Sequence, residues 1–211
     1  MLFLFVQGSP WVYLSLCLQN FLIIKSWESM QKDQHLIEEK ISSERVFNGA
    51  LLHINRDTVR LPDGSQATRE YVIHPGAVMI IPVLPDGKLL MERQYRYPMH
   101  RVYLEFPAGK LDAGEDALAC GKRELQEETG YTAQEWQKLG VHHPIISYTN
   151  EEIHFYLAQN LTAGKAQLDE GEFVECVAVS LDDLIAGVLD GSITDGKTVA
   201  GIFWAEKILN R

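Results

Sequence analysis

From Glu44 onward the chain is a series of short alternating apolar and polar runs separated by turn signals. RVFNGALLHINRDTVRL, a Pro-Asp-Gly at 62–64 and ATREYVIH predict the strands of a hairpin. GAVMIIPVL and KLLMERQYRY flank a second Pro-Asp-Gly at 85–87 and predict another hairpin. Within it, VMIIPVL is apolar without alternation, which places it in the core of a sheet covered on both faces. A Gly-containing loop over 107–115 leads into a helix over about 116–129, which Gly130 stops at the position where glycine best tolerates a left-handed backbone. IHFYLAQNL and EFVECVAVSL predict two further strands, and 181–189 and 197–209 predict closing helices. No internal repeat or low-complexity segment interrupts the series. The pattern is mixed α+β, with helices packed on sheet.

Composition narrows the class. The 211 residues are 46% apolar and 23% charged, which suits one domain of ordinary size or one domain with an appended piece and excludes a disordered chain, a collagen or a disulfide scaffold. The net charge is −10, with 29 acidic against 19 basic side chains and no local basic cluster, which argues against a nucleic-acid partner. Phosphate-bearing small molecules fit if a cation mediates. Cys17, Cys120 and Cys176 show neither zinc-ligand spacing nor an even framework, so buried free thiols in a reducing cytosol are expected. Residues 1–27 differ from the rest: Lys25 is their only ionisable side chain apart from tyrosine and cysteine. They lack the basic start and small-residue cleavage site of a signal peptide, and Gly8, Ser9 and Pro10 break a spanning run. Met30 opens an ordinary polar start, so residues 1–29 are expected to be an over-extended start or a weakly structured extension, with a peripheral membrane anchor as the alternative.

The candidate chemistry lies on the helix. Glu124, Glu127 and Glu128 stand at i, i+3 and i+4, within about 100° of arc on one face. Like charges at these spacings repel, and they sit toward the helix C-terminus, where the macrodipole disfavours anions. Leu118 and Leu125 mark a neighbouring stripe facing the core, so the carboxylates crowd the edge of a packed face. A hard divalent cation with oxygen ligands would convert that cost into a gain. The competing reading is a solvated acidic face neutralised by Arg123 and Lys122.

The segment 109–131, GKLDAGEDALACGKRELQEETGY, fits G-x5-E-x7-R-E-U-x-E-E-x-G-U, where U is a bulky apolar residue. Gly109, Glu115, Arg123, Glu124, Leu125, Glu127, Glu128 and Gly130 match, with Tyr131 at the last position. The sequence therefore resembles the Nudix hydrolase family. YRYPMHRVYLEFPAGKLDAGE and LDEGEFVECVAVSLDDL resemble its ADP-ribose pyrophosphatase branch, and the likeness covers roughly residues 40–209.

That resemblance implies an α/β/α sandwich around a mixed sheet, preceded by a small N-terminal β subdomain that mediates dimerisation. The expected organisation is an extension over 1–29, the subdomain over 30–73 and a hydrolase domain over 74–211. It implies a loop-helix-loop binding two to three Mg2+ or Mn2+ ions against a substrate diphosphate. Glu124 and Glu128 would be ligands, Glu127 would share a second ion, the Ala108 carbonyl would complete the site, and Glu115 would support the cluster. Arg123, always protonated, suits a pin for the carboxylates better than an acid, and Gly109 and Gly130 serve the backbone. A general base is expected beyond the helix, and the resemblance points to Glu172 with Glu170 in reserve. Arg96 matches a substrate-phosphate arginine, and Glu70 and Tyr71 lie where relatives contact the adenine end, often across a dimer interface.

One position departs from the branch. Sixteen residues past Gly130, where ADP-ribose hydrolases commonly carry proline, stands Ile146; Pro144 is nearest, and Tyr148 matches a marker of the dinucleoside-polyphosphate branch. The expected activity is cleavage of a nucleoside diphosphate sugar, ADP-ribose first, by a cytoplasmic homodimer with neither nucleic-acid nor membrane partners. The alternatives are a Nudix hydrolase of other specificity (dinucleoside polyphosphate, NADH or a GDP-sugar) and a non-catalytic module that senses ADP-ribose.

Overall fold

The computed structural model describes residues 33–209. Cys17 and the apolar stretch 1–29, whose expectations are given above, lie outside them. Two compact units divide the described chain, one from residues 33–46 and 55–70, the other from 47–54 and 71–209.

Three hydrogen-bonded strands in the order β1-β2-β3 run through Glu39–Asn48, His53–Arg60 and Gln66–Ile73. β1 is exposed along its whole length. In the first unit Arg56 pairs with Glu44 and Glu70, and Arg69 with Glu38. The Pro-Asp-Gly turn forms as its sequence dictates: Gly64 adopts a φ of +86°, its N–H donates to the Leu61 carbonyl, and Asp63 accepts from the Ser65 N–H.

The second unit is built around β4, Ala77–Pro82, buried at every residue. β4 lies in a four-stranded sheet of order β7-β4-β9-β8, with β7 Ala108–Lys110, β8 Tyr131–His142 and β9 Ile153–Ala163. β4 runs parallel to β9 and antiparallel to β7, so the sheet is mixed. Val78 and Ile80 pack on Cys120 and Leu125 of helix α1, Ala117–Thr129. Met79 and Ile81 pack on the opposite face, with Leu89, Met91, Leu184, Ile202 and Ala205. That second layer contains α2, Leu181–Asp190, α3, Gly196–Leu209, and a sheet of order β10-β5-β6: Val174–Val179, Leu89–Arg96 and Arg101–Glu105. The run VMIIPVL is thus apolar without alternation because helix covers one face and sheet with helices the other.

The second expected hairpin does not continue past its turn. Val83, the residue after β4, makes one antiparallel bridge to Leu89, and β4 and β5 then lie in different sheets. Both hydrogen-bonding edges of β4 are already taken, by β7 and β9, so β5 pairs with β6 and β10 instead. β6, β7 and β8 were not among the expected strands. β8 carries a register shift between Lys138 and Gly140, which breaks the two-residue period that a sequence pattern needs. The expectation of buried thiols holds for Cys120 but not for Cys176, which is exposed on β10. β10 covers one edge of its three-stranded sheet, where side chains are less enclosed.

α1 begins at Asp116, whose carboxylate accepts from the backbone N–H groups of Leu118 and Ala119 at 3.0 and 3.1 Å, and ends at Gly130 with φ of +75°. A Cβ on Gly130 would also stand 2.6 Å from the Ala166 backbone nitrogen, so no side chain is admissible there. These two ends fix which turn of α1 faces the cleft.

Candidate active site

A cleft of about 810 Å³ opens in the second unit, walled by β5, β7, the C-terminal half of α1 and the loop before β10. Its acidic wall is Glu124, Glu127 and Glu128, and Gln94 and Arg96 face it from β5. Ala108 and Gly109 supply backbone, and Glu170, Glu172 and Phe173 come from the loop.

Arg123 organises the acidic wall. Its guanidinium donates to both oxygens of Glu115 at 3.0 Å, and its Nη1 also reaches Glu124 at 2.8 Å and Glu127 at 3.0 Å. Hydrogen bonds from Arg123 and the Asp112 N–H hold the Glu115 carboxyl down at about 2. Gly109 lies so close to Glu124 that an added Cβ would fall 1.9 Å from its carboxyl carbon. The two competing readings of the helix thus share one arginine: it neutralises the acidic face and fixes where two of the three glutamates point, while Lys122 stays exposed.

Glu128 differs from its neighbours. It is buried at 6% exposure and accepts one hydrogen bond, from the Ala108 N–H at 3.1 Å. Burial pushes its carboxyl well above the usual range, and Glu92, Glu124 and Glu172 push the same way. Burial raises Glu124 too, against the pull of Arg123. Among the described residues no three acidic, histidine or cysteine side chains already converge in the geometry of a metal centre. The glutamates are gathered, but Glu124 and Glu127 turn to Arg123 and Glu128 to the Ala108 N–H.

The second polar group was not legible as a cluster. Arg96 donates to Glu105 through Nε and Nη2, each at 2.7 Å, and Lys197 in the first turn of α3 donates to the same carboxylate and, at 2.8 Å, to Asp195. Asp195 also accepts from the Thr198 hydroxyl at 2.6 Å. Burial works against the charge of Glu105, but Arg96 and Lys197 hold its carboxyl below the ordinary value. Glu92 on β5, 3% exposed, is raised by burial and by Glu172 and Glu105. The signal for Glu92 was in the sequence: strand periodicity puts it with Leu90, Gln94 and Arg96 on one face, so an acid follows a buried leucine. For Glu105 and Lys197, ninety-two residues apart, no local pattern points to the pairing.

The loop residues separate. Glu172 is half-buried, receives the Gln94 Nε2 at 3.4 Å and closes a turn onto the Asp169 carbonyl, whereas Glu170 is exposed. The Gln167 N–H donates to the Glu127 carbonyl at 2.8 Å, tying the start of this loop to α1. Glu70 lies in the first unit, paired with Arg56; Tyr71 lies half-buried in the second. Ile146 and Tyr148 are exposed.

Comparison with known proteins accounts for this arrangement. The NUDIX domain family matches residues 73–200, and the nucleoside diphosphate sugar hydrolase N-terminal domain matches residues 38–72. The chain belongs to the Nudix family. An ADP-ribose pyrophosphatase of Bacillus subtilis is 39% identical over 79% of this chain and 91% of its own length. A methanol dehydrogenase activator of Bacillus methanolicus is also 39% identical, over 79% of this chain and 92% of its own. An ADP-ribose pyrophosphatase of Mycobacterium tuberculosis is 36% identical over 78% and 81%. A solved ADP compounds hydrolase superposes with a TM-score of 0.75 at 24% identity, covering 83% of this chain and 96% of that one, a likeness of fold. Within the Nudix fold the motif runs from β7 through the β7–α1 loop and α1 to its glycine stop, which explains why Gly109, Glu115 and Gly130 are spaced as they are.

Proposed function

We propose that this Nudix chain is a divalent-cation-dependent pyrophosphohydrolase of nucleoside diphosphate sugars, and that it cleaves ADP-ribose to AMP and ribose 5-phosphate by adding water across the diphosphate linkage. The observation that carries the reading is one cleft holding both an acidic wall, Glu124, Glu127 and Glu128, and an oriented guanidinium, Arg96. The names of the relatives in Bacillus subtilis and Mycobacterium tuberculosis support ADP-ribose.

The residues fit a hard cation. Glu92, Glu124 and Glu128 are poorly hydrated carboxylates, Arg123 reaches only one of the three, and Oε1 of Glu92 has no hydrogen-bond partner. All-oxygen donors suit Mg2+ or Mn2+. Glu124, Glu127, Glu128 and the Ala108 carbonyl would hold two to three ions, which when bound neutralise the diphosphate and lower the pKa of water.

The side chains supply the rest. Arg96 offers its remaining N–H groups to a phosphate, held in place by Glu105. Glu172 accepts the proton of the attacking water, with Glu170 in reserve, and Gln94 steadies it. Arg123 and Glu115 keep the acidic wall spread, Gly109 leaves room for the Glu124 carboxylate, and Gly130 ends the helix beside it. Glu70 and Tyr71 contact the adenine end across a homodimer interface. Exposed Ile41 and Val46 on β1 support that interface. The organisation is an extension over 1–29, a dimerising β subdomain over 30–73 and the hydrolase domain over 74–211. The reducing cytoplasm, where Cys120 and Cys176 stay free thiols, suits the chain; among its described residues no helix is long and apolar enough to cross a membrane.

Product identification tests the reading. ADP-ribose with Mg2+ should give AMP and ribose 5-phosphate in equal amounts, and EDTA should stop the reaction. ADP-ribose left intact while diadenosine polyphosphate, NADH or GDP-mannose is cleaved would replace the assigned substrate.

A further inference from the structure

Cys176, Glu92 and Glu105 are directly opposed cross-strand partners on β10, β5 and β6. Directly opposed residues in antiparallel pairs project from the same face. The Cys176 thiol reaches the Glu128 backbone carbonyl at 3.7 Å, so that face meets the last turn of α1. Glu92 stands between the two, 3% exposed, with its Oε1 buried and unpartnered. Its neighbours are provided for: Glu105 has Arg96 and Lys197, and Glu128 has the Ala108 N–H. Arg123 is already shared among Glu115, Glu124 and Glu127. A buried carboxyl oxygen with no hydrogen-bond donor is disfavoured in its charged form, and a bound cation is the kind of partner that would satisfy it. A leucine at this strand position would pack at no such cost.

We propose that Glu92 is a divalent-cation ligand contributed from β5, outside the Nudix motif, and that it shares an ion with Glu128. The inference rests on the reading of the cleft as a cation site. It makes the cation a bridge between the two layers: β5 and α1 each supply one buried carboxylate.

Mn2+ binding to the full chain without substrate tests this, read by electron paramagnetic resonance and by calorimetry. Glu92→Gln keeps the shape and should weaken the tightest Mn2+ site about tenfold or more, with the cation-free melting temperature unchanged or higher. Glu175→Gln removes one charge from the exposed end of the same strand pair, where Glu175 meets Arg93, and should bind Mn2+ as wild type does. Should Glu92→Gln fail to fold, Glu92→Asp carries the test, since a ligand drawn back by one methylene also weakens the site. Mn2+ affinity of the folded Glu92 variant within twofold of wild type overturns the proposal, and so does an equal loss in Glu175→Gln, which would mark a net-charge effect. A wild-type chain that binds Mn2+ through Glu92 yet leaves ADP-ribose intact would sink the proposed substrate and leave this inference standing. A wild-type chain that binds no Mn2+ would sink both.

Discussion

Glu105 accepts two parallel 2.7 Å hydrogen bonds from Arg96 while only 3% of its own surface meets solvent. The pair sets the plane of the guanidinium at the cleft, and Lys197 holds the carboxylate from the other side. Fork-to-fork pairing of this kind fixes direction as well as charge.

Glu105→Gln should therefore act through Arg96. An amide presents one acceptor where two were used, and its NH2 faces a donor. The KM for ADP-ribose should rise on the order of tenfold with a smaller change in kcat, and Glu105→Asp should recover part of the loss. Breaking a buried pair costs about 3–5 kcal/mol, with the low end expected here because Arg96 is half exposed. Steady-state kinetics and urea unfolding check both. An unchanged KM would mean that Arg96 keeps its orientation without Glu105.

Much of this was legible in local sequence because the motif is local: Asp116, Arg123 and Gly130 each act within about one or two helical turns, and their spacing on α1 is their geometry. VMIIPVL was legible because burial on both faces leaves no polar position. What escaped depends on distant pairing. Glu92 stands out in the strand period as an acid after a buried leucine, but its acidic neighbours come only once β10 and β6 flank β5, and Glu105 finds Lys197 only once α3 crosses. β8, with its register shift, hides its period, and the separation of β4 from β5 follows from edges already occupied by β7 and β9.

Gly109→Ala should separate chemistry from folding. The new methyl would overlap the Glu124 carboxylate and Cγ, the far end of a rotatable side chain, so the carboxylate must leave its Arg123 hydrogen bond while the backbone need not move. Turnover should fall at least about a hundredfold, taking 1 Å misplacement as the guide, while stability changes by less than about 1 kcal/mol. Kinetics paired with thermal unfolding decide it; near-normal turnover would remove Glu124 from the assigned machinery.

Glu172→Gln should lower kcat by roughly 10²–10⁴, the usual worth of general-base assistance, with little change in KM. Glu170 is exposed on the same loop, so Glu170→Gln should have a much smaller effect. If the large loss follows Glu170 instead, the loop is right and the base is misassigned. Should neither variant lose activity, proton removal belongs to another group.

The buried carboxyls set the pH dependence of the chain stripped of cations. Glu92, Glu124 and Glu128 are all raised, with burial the first cause in each. Above about pH 4.3, where a free glutamate loses its proton, the unfolded chain binds fewer protons than the folded one. Stability in EDTA must then fall as pH rises, by up to about 1.4 kcal/mol per pH unit for each such carboxyl, until the raised values are passed. Glu105 and Glu115 are held low and so alter the curve only below about pH 4.3. Cation binding requires the deprotonated ligands, so Mn2+ should raise the melting temperature more at pH 8 than at pH 6. Melting curves in EDTA and in Mn2+ across this range give both slopes. A melting temperature in EDTA that stays level or climbs with pH would mean that these glutamates are charged and accommodated without a cation.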